Sequence, residues 1–381
     1  MDDLRKRTWA EISLKNIRRN YDAIRARLPE GCRFLGVVKA DAYGHGAVQV
    51  SRLLQDAGAD YLAVAGLDEA MELRQNGIYL PILILGHTPA EFTGTLIRND
   101  ITQAVTCLAK AEEYSREASR LGMTLRVHIK VDTGMSRLGF LCAGRHFDEG
   151  VENICYACSL PGLESEGIFT HFSVSDEPGE ENDAYTREQF SLFLRVIEAV
   201  GERGHRFAIR HCANSGAVLH DPDMLLDMVR PGLLLYGYGD EGALGLKPCM
   251  RLMTRITTIK HYDAGTCISY GRHYVTDKLT RMAVLGIGYA DGLPRLCSNR
   301  CGFLIAGRTA PQRGNICMDM CMADVTDIPA AAVDGEVEIF GDRNPIGPLC
   351  EAAQTIPYEL LCAVSKRVPR VYSAKEWEAD S

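Results

Sequence analysis

Lys39 closes the apolar run Phe34-Leu35-Gly36-Val37-Val38, and Ala40-Asp41-Ala42-Tyr43-Gly44-His45-Gly46 follows it. The run reads as a buried strand. A lysine at its end has no ready partner, so burial lowers its pKa and favours the neutral amine. A neutral lysine amine can condense with an aldehyde. The alternative is a strand-end lysine that snorkels to water. Tyr43, Gly44 and Gly46 favour the chemical reading, because they place a phenol and an approachable backbone just past the strand. Other reactive types recur at similar positions: His171 in Thr170-His171-Phe172-Ser173, Ser215 in Asn214-Ser215-Gly216, and Arg230 in Arg230-Pro231-Gly232. Singly, each has a structural explanation, such as a satisfied core histidine or a surface ion pair. Lys39 and His171 end the first and sixth strand candidates, Ser215 follows the seventh and Arg230 precedes the eighth; together they describe a site for a phosphorylated aldehyde. Lys39 would take the aldehyde, and Ser215 with the backbone near Gly232 would take the phosphate.

The elements that must position these residues follow from periodicity. Strand candidates are Phe34–Ala40, Tyr61–Ala65, Ile82–Gly86, Ile101–Val105, Leu125–Val131, Glu166–Phe172, Ile209–Asn214 and Leu233–Tyr236. Helical patterns separate most of them, as in Gly46–Ala57, Leu67–Gln75, Leu108–Leu121 and Ala184–Gly201. Eight strands alternating with helices predict an N-terminal (β/α)8 TIM barrel, with its site at the carboxyl ends of the strands and phosphate held after strands 7 and 8. An open doubly wound sheet fits less well, since it rarely needs eight units. After Gly245 the runs Met250–His261, Arg281–Gly288, Gly302–Gly307, Met320–Val325 and Val337–Phe340 are short, β-like and separated by Gly, Pro, Asn and Asp. They predict a C-terminal, mostly-β domain. The expected division is 1–245 and 246–381, with residues up to Ala10 packing on the second domain. Gly237-Tyr238-Gly239-Asp240-Glu241-Gly242 matches a dinucleotide-binding glycine pattern. Asp240 and Glu241 would repel a pyrophosphate there, so the segment reads as a hinge between domains.

The 381 residues, 46% hydrophobic and 24% charged, are ample for two globular domains. A net charge of −8 argues against a general nucleic-acid binder. No run approaches the roughly 18 apolar residues of a membrane span. The N-terminus lacks the apolar core of a signal peptide. The fourteen cysteines are scattered, which points to reduced thiols and a cytoplasmic location. Cys155-x-x-Cys158, Cys297/Cys301 and Cys317/Cys321 lack the converging pairs of a zinc site, so no metal is expected.

In this setting the chain resembles the alanine racemases, pyridoxal-phosphate enzymes that join a barrel to a β-domain. The resemblance runs from Trp9-Ala10-Glu11-Ile12 to Lys366-Arg367-Val368-Pro369-Arg370. Between these lie, in order, Val38-Lys39-Ala40-Asp41-Ala42-Tyr43-Gly44-His45-Gly46, Lys130-Val131-Asp132-Thr133-Gly134-Met135-Ser136-Arg137-Leu138-Gly139, Thr170-His171-Phe172, Ala213-Asn214-Ser215, Arg230-Pro231-Gly232, Ser269-Tyr270-Gly271, Gly288-Tyr289-Ala290-Asp291-Gly292, Ile316-Cys317-Met318-Asp319 and Thr355-Ile356-Pro357-Tyr358-Glu359. It implies that Lys39 carries pyridoxal 5'-phosphate and that Tyr43, Ser215, Tyr358, Gly232 and Leu233 hold the phosphate. Arg230 would face the pyridine nitrogen with His171 behind it, and Arg137 the phenolic oxygen. Lys130 matches a position carbamylated in some members. Tyr270 and Met318 would come from the other subunit of a homodimer with shared sites. Arg137, Met318 and Tyr270 would contact substrate, and Tyr289, Arg295 and Asp319 would line its access path.

The implied activity is interconversion of L- and D-alanine by two bases, Lys39 and Tyr270, supplying D-alanine for a bacterial cell wall. Racemisation needs a proton removed on one face and returned on the other, so one base per face is the simplest arrangement. Departures from the family pattern are few. Asn315 stands where many members carry a basic residue, Ser173 where alanine is usual, and Pro294 precedes Arg295 in the access loop. They bear on substrate range, and serine remains an alternative substrate. Two other classes stay open: a non-catalytic pyridoxal-phosphate carrier, and a nicotinamide oxidoreductase resting only on the glycines after Tyr236.

Overall fold

The computed structural model describes residues 7–239 and 242–373. Asp240 and Glu241 of the glycine-rich segment lie outside the described residues.

Strand β1 (Thr8–Ser13) leads into a helix, Leu14–Arg25, capped by Ser13, whose side chain accepts from the Asn16 N–H. Eight parallel strands of the barrel follow: β2 (Arg33–Val37), β3 (Tyr61–Val64), β4 (Ile82–Ile84), β5 (Ile101–Val105), β6 (Leu125–Asp132), then, after the two-residue β7 (Phe140–Leu141), β8 (Leu163–Phe169), β9 (Ile209–His211) and β10 (Met228–Val229). Their order is β10-β2-β3-β4-β5-β6-β8-β9, with β7 attached to β6. The backbone bonds Asp227 N–H to Arg210 O (3.1 Å) and Arg230 N–H to Ala213 O (2.9 Å) draw the two ends together. Every residue of β3, β4 and β5 is buried, as expected where helices cover one face and the barrel interior fills the other.

The expected barrel is therefore present, with two local corrections. The eighth strand is Met228–Val229, and Leu233–Tyr236 is a 3-10 turn. Pro231 has no N–H for a ladder, and Gly232 and Gly237 (φ 88°) bend the chain at either side, so a fully buried apolar run is wound rather than extended. The first strand ends at Val37, and Ala40 to Tyr43 form a left-handed turn instead of continuing it.

The remaining strands are β11 (Met250–Tyr262), β12 (Thr280–Leu285), β13 (Gly302–Ile305), β14 (Arg308–Arg313), β15 (Cys321–Asp324), β16 (Glu336–Phe340) and β17 (Arg370–Ser373). They form a second sheet, β12-β15-β14-β13-β16-β11-β1-β17, in which β11 also pairs β12. The long β11 does this by a register shift between Ile256 and Thr258. Its first half pairs β1 and β16, and its second half pairs β12. The N-terminal β1 thus belongs to this sheet, paired Ala10↔Leu252 with β11 and Ala10↔Arg370 with β17. From β17, Arg370 Nε donates to Gly44 O at 2.9 Å, a tie between the second sheet and the loop after Lys39.

Candidate active site

Four consecutive residues without glycine's freedom, Ala40, Asp41, Ala42 and Tyr43, have φ between 52° and 54°. Such a turn costs roughly 1–2 kcal/mol per residue, so neighbours must hold it. The Ala40 N–H donates to Glu69 Oε1 (2.7 Å), and Glu69 Oε2 accepts from the Ala65 N–H (2.6 Å). Asp41 Oδ1 accepts from the Ala47 N–H (2.7 Å). His45 Nδ1 lies 3.0 Å from the carbonyls of Ala42 and Tyr43 and stacks on Tyr236 at 4.5 Å. The result sets Lys39 at the barrel mouth and swings Tyr43 back over it.

Tyr43 meets the phosphate-side residues. Ser215 Oγ accepts from the N–H groups of Gly232 (3.0 Å) and Leu234 (3.4 Å). A Cβ on Gly232 would stand 2.6 Å from Tyr43 Oη, so only glycine lets the phenol reach that backbone. The Tyr43 and Tyr358 rings are 5.9 Å apart. Two backbone N–H groups and three hydroxyls are thus gathered at one end of the barrel, the donor set a phosphate requires. Asn214 supports it: its side chain caps the helix Ser215–His220 by accepting from the Ala217 N–H. A cleft of about 980 Å³ opens beside Ser215, Leu233 and Tyr358 and runs outward past Asp176 and Arg187.

Toward the barrel axis the character is cationic. Burial, then the charge of Arg137, lowers the pKa of Lys39. Burial, then Arg137 and Arg230, bring Lys130 down to about 8. His171 is held well below the usual histidine range by burial and by Arg230, Arg137, Lys130 and Lys39. Burial alone brings buried Arg230 to about 10, which leaves it charged at neutral pH. Lys130 Nζ and the Arg230 guanidinium sit over the Phe169 ring at 5.7 and 5.5 Å. The loop that presents Arg137 is folded by Asp132, whose Oδ1 accepts from the N–H groups of Gly134 and Ser136, both at 3.0 Å. This group of cations fits the anionic, aldehyde-bearing ring whose phosphate the Ser215 end would hold.

Arg230 is fixed by several acceptors. Nη2 donates to Thr170 O (2.8 Å) and Cys212 O (3.0 Å) and lies 3.3 Å from His171 Nδ1. Nη1 lies 2.9 Å from Nδ1 of His211, a residue that motif reading passed over. Leu234, Glu69 and Asp132 were passed over too. His211 follows the apolar Ile209 at alternate spacing on strand β9, a polar residue on its buried face, but its role lies in contacts across strands.

The second sheet gathers another group. Ser269 Oγ donates to Asn315 O (2.6 Å) and lies 3.4 Å from Cys317 Sγ. Asn315 Nδ2 donates to Tyr270 O (2.7 Å). The Tyr289 N–H donates to Cys317 O (2.9 Å) and the Ala290 N–H to Met318 O (3.0 Å). A Cβ on Gly288 would lie 2.2 Å from Cys317 O, so glycine permits this close packing. Tyr270, Met318 and Tyr289 are thereby neighbours, yet exposed: 73% for Tyr270 and 53% for Met318. Asp319 pairs with Arg367 (2.8 Å), and Arg295 opens a short turn, Arg295–Cys297. Asn315 is buried beneath Tyr270 rather than facing solvent. No hydrogen bond or ion pair among the described residues joins Tyr270 to Lys39. The structure brings the Lys39 group together, and separately the Tyr270 group.

Comparison with known proteins agrees with this two-part layout. Residues 12–240 match the alanine racemase N-terminal domain and residues 249–372 the alanine racemase C-terminal domain. An alanine racemase of Desulfovibrio desulfuricans is 45% identical, over 96% of this chain and 97% of its own. One of Clostridium perfringens is 42% identical, over 98% and 97%. The solved alanine racemase of Clostridium difficile superposes with a TM-score of 0.90 at 41% identity, covering 97% of this chain and 96% of that one. Among the described residues no helix is long and apolar enough to cross a membrane. Fold, site layout and near full-length similarity agree, and the chain belongs to the alanine racemase family of pyridoxal-phosphate-dependent isomerases.

Proposed function

We propose that the chain interconverts L- and D-alanine as a homodimer, each site taking Tyr270 and Met318 from the partner subunit. The observation that carries this is the meeting of a phosphate cradle (Ser215, Gly232, Tyr43) with the cationic group around Lys39 at one barrel mouth. Pyridoxal phosphate, when bound, weakens the bond to the substrate's α-proton by accepting the electrons left behind. The chain's residues do the rest. Lys39, with its pKa lowered by burial, has a neutral amine available to take or return a proton at Nζ on one face. Tyr270 of the partner subunit serves the opposite face through Oη. Arg230 would face the pyridine nitrogen; a guanidinium cannot accept a proton, so it would leave that nitrogen unprotonated. Arg137 orients the substrate carboxylate and the ring oxygen. Tyr289, Arg295 and Asp319 line access. In the cell, D-alanine so formed supplies the cell wall.

Two features support the dimer. Tyr270, Tyr289 and Met318 leave exposed apolar side chains on one group of the second sheet, which a partner surface would cover. A two-fold interface would also seat both copies of Tyr270 at once, since such an interface is self-complementary. The test is to incubate the pure, cofactor-loaded protein with L-alanine in deuterium oxide and follow chirality and α-deuteration. Both should appear together and more slowly with L-serine. Deuteration without D-alanine, or no reaction, defeats the proposal. Faster turnover of serine would reassign the substrate.

A further inference from the structure

Arg230 has no carboxylate partner among the described residues, although it is almost fully buried. A buried cation normally requires an opposite charge. We infer that Glu166, at the far side of the barrel interior, is the remote counter-charge of Arg230 and a positioning residue acting through His128 and His211. Three hydrogen bonds connect them. Arg230 Nη1 is 2.9 Å from His211 Nδ1, His211 Nε2 is 2.9 Å from His128 Nδ1, and His128 Nε2 is 3.0 Å from Glu166 Oε2. Tyr61 Oη donates to the same carboxylate oxygen at 2.6 Å.

The two ends dictate one polarity. A guanidinium only donates, so His211 Nδ1 accepts and its proton sits on Nε2. His128 Nδ1 must then accept, and its own proton also sits on Nε2. A carboxylate only accepts, and it is there to receive it. Both imidazoles are fully buried, and burial holds both below the usual histidine range, so each is neutral. Burial pushes the Glu166 carboxyl up, but the bonds from His128 and Tyr61, with the charge of Arg126 3.9 Å from its other oxygen, outweigh this and leave it lowered, hence ionised.

The fold makes room for the chain of bonds. A Cβ on Gly167 would lie 2.6 Å from the His128 ring, so glycine is needed beside it. Phe169 stacks on His211 at 4.8 Å and 10°, which fixes that ring's plane. The arrangement has a chemical purpose. A carboxylate directly on Arg230 would cancel the positive field at the pyridine nitrogen. A carboxylate three bonds away orients the guanidinium and leaves that field in place.

The kinetic arm of the test rests on the racemase reading; the tautomer arm does not. In Glu166→Gln holoenzyme, the amide oxygen can still accept from His128 and Tyr61, but the negative charge is gone and Arg230 loses its counter-charge. We expect kcat to fall about tenfold with KM little changed, the scale of a misplaced active-site group. Pyruvate released per racemisation should rise, because a poorly set Arg230 lets the ring nitrogen take a proton and leaves the amino group on the cofactor. Glu166→Asp, which keeps the charge, should recover most of kcat. Nitrogen NMR of histidine-labelled, unsubstituted holoenzyme should show two buried neutral imidazoles protonated at Nε2. Protonation at Nδ1 in either overturns the inference, whether or not the variants fold. So does a Glu166→Gln enzyme that loses thermal stability yet keeps kcat and its pyruvate ratio. A wild-type chain that does not racemise alanine defeats the racemase reading alone.

Discussion

At the barrel mouth Lys130 and Arg230 are buried and held by partners within the chain, whereas on the second sheet Tyr270, Met318 and Tyr289 stand largely in solvent. The first group is preassembled by the core. Its cations are set by strand ends, by the left-handed turn and by acceptors such as Thr170 O and Cys212 O. The second group has a fixed backbone and exposed side chains: Asn315 anchors Tyr270 by its carbonyl, and no hydrogen bond among the described residues reaches its hydroxyl. A barrel can position everything an anionic cofactor needs. It cannot also place a base on the far face of a substrate without closing its own mouth. In the proposed dimer, a partner subunit would solve that problem.

The hardest way to break this division is to remove the barrel's amine. Lys39→Ala should abolish racemisation by at least roughly 10⁴-fold, since both cofactor attachment and one base are lost. The visible absorbance of lysine-bound cofactor should vanish with it, measured on protein purified with excess pyridoxal phosphate. Next in size is Tyr270→Phe, expected to cost about 10²- to 10³-fold while that absorbance stays, because the barrel group is untouched. The two variants together sharpen the comparison. Mixed and allowed to exchange subunits, two inactive proteins should regain about a quarter of full activity, because half the dimers are hybrids with one intact site each. Absence of recovery under demonstrated exchange would place Tyr270 and Lys39 in the same subunit.

A smaller effect tests whether the second group's backbone matters when its side chains are free. Asn315→Ala removes the donor to Tyr270 O at a buried position. Leaving that turn unanchored should lower kcat about tenfold, with cofactor absorbance and KM little altered. Equal kcat in the variant would show that the partner, not Asn315, sets the tyrosine.

The same contrast explains what could be read from the sequence. The barrel was legible because apolar runs such as Tyr61–Val64 and Ile101–Val105 are buried on both faces and carry their period openly. Lys39 and Ser215 were legible because they sit where such runs stop, and Arg230 because it stands just before one. The left-handed turn was not: Ala40 and Ala42 carry no local signal for positive φ, and Glu69 and Arg370 hold it from outside while Asp41 and His45 brace it locally. Leu233–Tyr236 misled because a fully apolar run suits either a strand or a buried turn. Leu234 was missed in the phosphate cradle because a backbone N–H leaves no mark in the sequence. His211, His128 and Glu166 were overlooked because their meaning lies in a contact across strands β6, β8 and β9, which no motif spans.

Lys130 offers the smallest and most specific test of the preassembled group. Burial, with Arg137 and Arg230 nearby, holds its amine at about 8 against the ordinary 10.5. Below pH 8 the folded and unfolded chains both carry the proton, and the folded state bears the full penalty of a buried like charge. Between about pH 8 and 10.5 the unfolded chain binds a proton that the folded chain does not. Unfolding free energy therefore rises with pH across that window. Lys130→Met keeps the packing against Phe169 and removes the charge. It should stabilise the cofactor-free protein at pH 7 by about 1 kcal/mol, discounted for the water that still reaches the amine. The gain should shrink toward pH 10.5 in denaturant titrations. A variant less stable than wild type at pH 7 would mean that the cations of the barrel mouth do not repel one another in the empty protein. The pull of this group on an anionic cofactor would then need another source.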